Sequence, residues 1–297
     1  AATGLTLAGT LGGSGTLSAA TVTLDSGQVL ADVGGGTLNS TGSSTLSGRS
    51  AATSLNVNGG TLTLASSGRL AAAPATTVAG GATLVLLGNE TLGTLAGAGN
   101  VGLGTVTLTT GSGGDSRYDG VLSGSGALTK VGTGSFTLGG SNLYGGGTQV
   151  LAGTLATAAA DVLPDAGAVT IAPGATLQIG GNDSVAALTL RGALQGTATL
   201  GAASYAVDGG VVNANLGTGT LVSTGNSVLA GSAAAASVAV DGVTLALAAA
   251  DRLSDTATVR VATGATLALG GSDTVGRLDV LGTLSGSVKQ VRQSGEA

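Results

Sequence analysis

No cysteine, histidine, methionine or tryptophan occurs in the 297 residues, and there are only 3 prolines, 3 tyrosines and 1 phenylalanine. Without cysteine there are no disulfides, and stability must come from backbone ladders and packing. The lack of cysteine and histidine also excludes a cysteine nucleophile and any acid–base relay or triad that uses histidine. Three tyrosines cannot make the aromatic girdles of a membrane barrel. The segment between Asp208 and Asp241 carries no charge, but its glycine, serine, threonine and asparagine break up the roughly 20 apolar residues that a membrane helix needs. Lysine and arginine number 10 against 15 acids, for a net charge of -5, and nowhere cluster. A nucleic-acid or other phosphate-binding role is therefore disfavoured. The start of the chain lacks the charged and apolar blocks of a signal peptide, and the sequence reads as an internal segment of something longer.

What is abundant is small. Glycine numbers 57 and hydrophobic residues make up 42%. The apolar residues are almost all alanine, valine and leucine. Glycine without strict spacing and with so little proline is not collagen-like, and 8% charged residues do not favour charge-driven disorder. A core made without bulky side chains must be narrow. Short alternating runs recur throughout, such as Leu5-Thr6-Leu7, Thr61-Leu62-Thr63-Leu64, Thr105-Val106-Thr107-Leu108 and Val238-Ala239-Val240. Period-two alternation with β-branched residues indicates strands with one buried face. Glycine, asparagine, aspartate and serine between them supply tight corners. The alanine-rich stretches 158–161 and 233–236 have room for one turn of helix in a protruding loop and no more.

A longer period overlies this grammar. Residues 161–196 match 251–286 at a constant offset, pairing Leu163 with Leu253, Asp165 with Asp255, Gly174 with Gly264, Asp183 with Asp273 and Gly196 with Gly286. A weaker third copy begins near Leu70, which precedes Gly81 by the spacing of Leu163 to Gly174 and Leu253 to Gly264. Repeats of this kind bury their apolar faces against one another. The expected fold is all-β, a right-handed parallel β-helix with coils of roughly 20 residues. It is expected to form a single rod over 1–288, with 289–297 a frayed tail.

The densest pattern runs from about residue 120 to 155. It comprises Gly124, Gly126, Leu128, Lys130, Gly132, Gly134, Leu138, Asn142, Tyr144, Gly147 (or Gly146), Thr148, Gly153 and Leu155. This stretch resembles the passenger-associated repeat of bacterial autotransporters, with Leu143 and Gly145 standing where that family usually has threonine or serine. The resemblance implies a secreted β-helical passenger at the bacterial cell surface. Export would use an outer-membrane barrel, fused or separate. The family's roles are adhesion, autoaggregation, biofilm formation and virulence, with the repeat serving secretion and folding. Expected partners are surface glycans or exopolysaccharide, a host surface or a second copy of the chain; no nucleic acid and no cofactor is implied.

Several residues invite sharper readings. Asp115 with Asp119, Asp161 with Asp165 and Asp251 with Asp255 are the carboxylate pairs a polysaccharide-active enzyme would need; corner or loop roles are favoured, and no catalytic residue is assigned. The sequences 180–185 and 270–275 look like half of a calcium-binding nonapeptide, but that motif works in tandem, so turns are preferred and no metal site is assigned. Tyr118, Phe136 and Tyr144 make either an exposed patch or internal packing, with packing preferred. Asn39, Asn89 and Asn182 fit the Asn-x-Ser/Thr glycosylation pattern, read here as chance. The low charge and Thr-x-Thr pieces leave a self-assembling or ice-binding repeat as a further alternative, weakened by irregular strand spacing.

Overall fold

A computed structural model describes residues 2–286 and 291–293, and all regular structure among them is β-strand. The chain divides into two compact units, Ala1–Thr148 and Gln149–Ala297. Each is a stack of coils in which a strand pairs in parallel with the equivalent strand of the next coil.

In the first unit, Thr16–Leu24, Thr37–Ser40, Ser54–Val57, Ala75–Val78 and Thr94–Gly97 pair successively along one face. Gly27–Val29, Ser44–Leu46, Thr61–Leu64, Thr83–Leu86, Asn100–Gly102 and Val121–Gly124 do so along another. Paired residues lie 16 apart at Thr21 and Thr37 and 22 apart at Thr61 and Thr83. The expected coil of roughly 20 residues is thus an average, and corners absorb the difference. Parallel pairing with short, loop-linked strands fits this sequence because alternate residues of strands such as Thr61–Leu64 and Thr83–Leu86 are Leu, and the burial follows that alternation.

The core is a set of aliphatic columns. In the second unit Leu155, Leu177, Leu194, Val212, Leu229, Leu247 and Leu269 stand in register on successive coils, and all are buried. Each such leucine or valine contributes about 1.5–3 kcal/mol on burial. A column lets small side chains build a continuous interior because each residue packs on a like residue roughly 4.8 Å above and below. Tyr205 enters a parallel column between Leu188 and Leu221. Its hydroxyl bonds the Leu200 carbonyl at 3.0 Å and accepts from the Ala202 amide at 2.8 Å, so the buried polar tip is satisfied.

Neither alanine-rich stretch forms a helix; 158–161 is a bend and Ala233 bridges Leu216 and Leu253. The expected tail at 289–297 lies outside the described residues, apart from Val291–Gln293, a strand in parallel register with Asp273–Val275.

Candidate functional site

The repeat-motif residues of the first unit take their places from strand parity. In Ala127–Lys130 and Ser135–Leu138 every second side chain points inward. Leu128, Phe136 and Leu138 are fully buried, and so is Lys130, because it shares parity with Leu128. Its ammonium donates to the carbonyls of Val131 at 2.7 Å and Gly132 at 2.9 Å. Burial pushes its pKa below the usual lysine range, and Asp115 opposes that shift. The lysine closes a corner whose carbonyls the ladder leaves over.

Asn142 and Tyr144 form the neighbouring corner. The Asn142 side chain accepts from the Leu122 amide at 2.9 Å, one coil earlier, and donates to the Gly140 carbonyl at 2.9 Å. The Tyr144 hydroxyl lies 2.6 Å from the Thr148 hydroxyl, both buried. Gly126 is forced by packing: a Cβ there would lie 2.1 Å from the Val106 carbonyl oxygen. A Cβ on Gly134 would meet the Gly114 backbone at 2.7 Å. In the second unit, Gly153 has φ +64 and gives its carbonyl to the Thr176 amide, and Leu155 heads the leucine column. Tyr118 and Phe136 are also fully buried, which closes the exposed-patch reading. Burial raises the Tyr118 phenol above its ordinary pKa, and its hydroxyl donates to the Gly99 carbonyl at 2.7 Å.

The motif is therefore a set of inward polar residues that satisfy backbone groups at corners. Replacing Lys130 by methionine keeps the volume and orphans two carbonyls. A loss of about 2–3 kcal/mol in chemical unfolding is expected, and an unchanged midpoint would show that the ammonium is dispensable.

A second set, not singled out from the sequence, is the inward carboxylates of the three long repeats. Glu90 accepts from the amides of Arg69 at 2.5 Å and Leu70 at 3.2 Å. Asp183 accepts from Val162 at 3.2 Å and Leu163 at 3.1 Å, and Asp273 from Arg252 at 2.8 Å and Leu253 at 3.3 Å. All three are nearly inaccessible. Burial raises each above the usual carboxylate range, against the lowering effect of those amide bonds. Arg69 and Arg252 complete the tie from the other side, donating to the carbonyls of Ser47 and Ala230 on the preceding coil. The half-nonapeptides thus spend their aspartates on backbone amides. Asn182 accepts from Thr199 at 2.9 Å, and Asn89 accepts from Thr107 at 2.8 Å.

The remaining candidate acids are dispersed. Asp115 accepts from the Ser135 amide at 2.7 Å, and Asp119 pairs with Arg117 at 2.7 Å on the surface. Asp161 and Asp251 sit at exposed corners with φ of 53 and 54, and Asp165 and Asp255 are exposed in the same loops. Among the described residues no three acids converge.

A family model described as passenger-associated-transport-repeat matches residues 128–156, so all the motif residues except Gly124 and Gly126 fall within it. The Adhesin BmaC autotransporter of Brucella suis biovar 1 (strain 1330) is 40% identical over 114 residues, spanning 37% of this chain and 3% of that protein's length. No solved structure matches the chain. The transport repeat at 128–156 and the similarity to an autotransporter adhesin both support an autotransporter passenger.

Proposed function

We propose that this chain is a structural stalk and adhesion segment of a secreted bacterial surface protein, exported with an outer-membrane barrel and supporting attachment, aggregation or biofilm formation. The observation that carries this reading is the inward orientation of the repeat's polar residues. Lys130, Asn142, Tyr144 and Thr148 are spent on the fold, which leaves contact to the outward faces. Those faces are regular rows of hydroxyls and amides. Thr21, Thr37 and Ser54 are in register, as are Thr23, Asn39 and Asn56, with the Asn56 amide donating to the Asn39 side chain at 2.9 Å. Many weak contacts along such rows sum to useful avidity.

An in-frame deletion of residues 1–297 from the parent protein tests this. Surface attachment and autoaggregation are expected to fall severalfold while surface exposure of the rest of the protein persists. Unchanged attachment with intact export would remove the adhesive role.

A further inference from the structure

On one side of the first unit, three successive coils place Thr16, Asp32 and Arg49 in a row. Thr16 pairs in register with Asp32, and Val33 bridges Ser50 on the next coil, so the three side chains follow one another at roughly 4.8 Å. Beside them lies an open cleft of about 260 Å³ lined by Thr16, Asp32, Val33, Arg49, Ala51 and Ala71. This is smaller than a drug-sized pocket of 300–1,000 Å³ and suits a single ring.

Its arginine is uncommitted in a way the unit's other arginines are not. The unit has three arginines. Arg117 is paired with Asp119, and Arg69 is held by the carbonyls of Ser47 and Ser67. Arg49 is exposed, and among the described residues no hydrogen bond or ion pair holds its guanidinium, whose charge also favours the ionised form of Glu90. Asp32 uses one oxygen to accept from the Arg49 amide at 2.7 Å and leaves the other open. The cleft thus offers a planar cationic fork, a carboxylate acceptor and a hydroxyl in line. Two exposed alanines, Ala51 and Ala71, lie alongside.

We infer that this cleft is a subsite for an acidic sugar, a uronate residue of a polysaccharide. The sugar carboxylate takes the Arg49 guanidinium in the bidentate geometry that arginine favours. Ring hydroxyls donate to the free Asp32 oxygen and exchange a bond with Thr16, and the apolar ring face lies on Ala51 and Ala71. A simple inorganic anion would use Arg49 and be repelled by Asp32; a ring bearing both a carboxylate and hydroxyls uses both. The inference rests on the surface-passenger reading only for where such a polymer would be met.

Calorimetric titration of the full chain with trigalacturonate and with its methyl-esterified counterpart, at low salt, tests the assignment. The acid is expected to bind about tenfold more tightly than the ester, a gap of about 1.4 kcal/mol. Arg49→Gln is expected to erase that gap and Asp32→Asn to weaken both ligands. Arg117→Gln, an exposed arginine away from the cleft, is expected to change neither. Equal affinity for acid and ester, absence of binding at millimolar concentration, or an unaffected Arg49→Gln variant would overturn the assignment. Binding of dextran sulfate that matches trigalacturonate and is lost equally in Arg49→Gln would also overturn it, by reducing the cleft to bare charge attraction. Attachment that is lost on deleting residues 1–297 yet retained in Arg49→Gln cells would sink this subsite and leave the adhesive role standing.

Discussion

Valine at position 132 is expected to destabilise the first unit by about 4 kcal/mol, combining strain at a forbidden φ with overpacking. Gly132 has φ +70, a region costly for a β-branched residue. A Cβ there would lie 2.3 Å from the Gly111 carbonyl oxygen and 2.9 Å from the Ser112 Cα. Both neighbours are backbone of the preceding coil, so no side chain can swing aside. The same residue gives its carbonyl to Lys130, and displacement would loosen the buried ammonium as well. Urea unfolding of Gly132→Ala and Gly132→Val should show a graded loss, larger for valine. A valine variant within about 1 kcal/mol of the parent would mean that the corner yields far more easily than close packing allows.

Removing the carboxylate of Asp183 is expected to cost about 2–4 kcal/mol, because Asp183→Ala withdraws the acceptor from two buried amides. Asp183→Asn keeps an acceptor oxygen and is expected to stay within about 1 kcal/mol of the parent. The pH dependence separates charge from hydrogen bonding. Burial raises the folded pKa of Asp183 above its ordinary value. Between the ordinary aspartate value of about 3.9 and the raised one, the folded state holds a proton that the unfolded chain has released. Stability therefore falls as pH rises through that window and levels off above it. Melting curves across mildly acidic pH should show this slope in the parent and a shallower one in Asp183→Asn. A slope of opposite sign would show that the amide bonds, not burial, dominate the carboxyl.

How far these features were legible beforehand depends on their range in sequence. Strands such as Thr61–Leu64 were legible because alternation is local. The parallel coil followed from many short strands with no helix between them. Coil lengths were not, since nothing local distinguishes the 16-residue step at Thr21 from the 22-residue step at Thr61. The motif residues 128–155 were recognisable as a pattern, and internal packing was the preferred place for Tyr144, but no inward role was assigned to Lys130, Asn142 or Thr148. A signal existed. Lys130 shares parity with Leu128, Glu90 with Leu92, Asp183 with Val185 and Asp273 with Val275. A charge two residues from a core aliphatic within one strand must enter the core too. What the carboxylates meet there could not be read, because their partner amides lie 20 or 21 residues upstream. The cleft beside Arg49 left no trace in sequence, since Thr16, Asp32 and Arg49 belong to no motif and meet only through stacking.

The carboxylate ties also bear on how such a chain changes length over generations. Each copied block from 161 to 196 and from 251 to 286 contains both the acid and the amides it binds. A recombination event that adds or drops such a block whole carries a self-sufficient clasp with it. A crossover between Leu163 and Asp183 would instead strand an acid and its amides in different descendants. Length variants should therefore break outside these clasps, at the glycine corners between them.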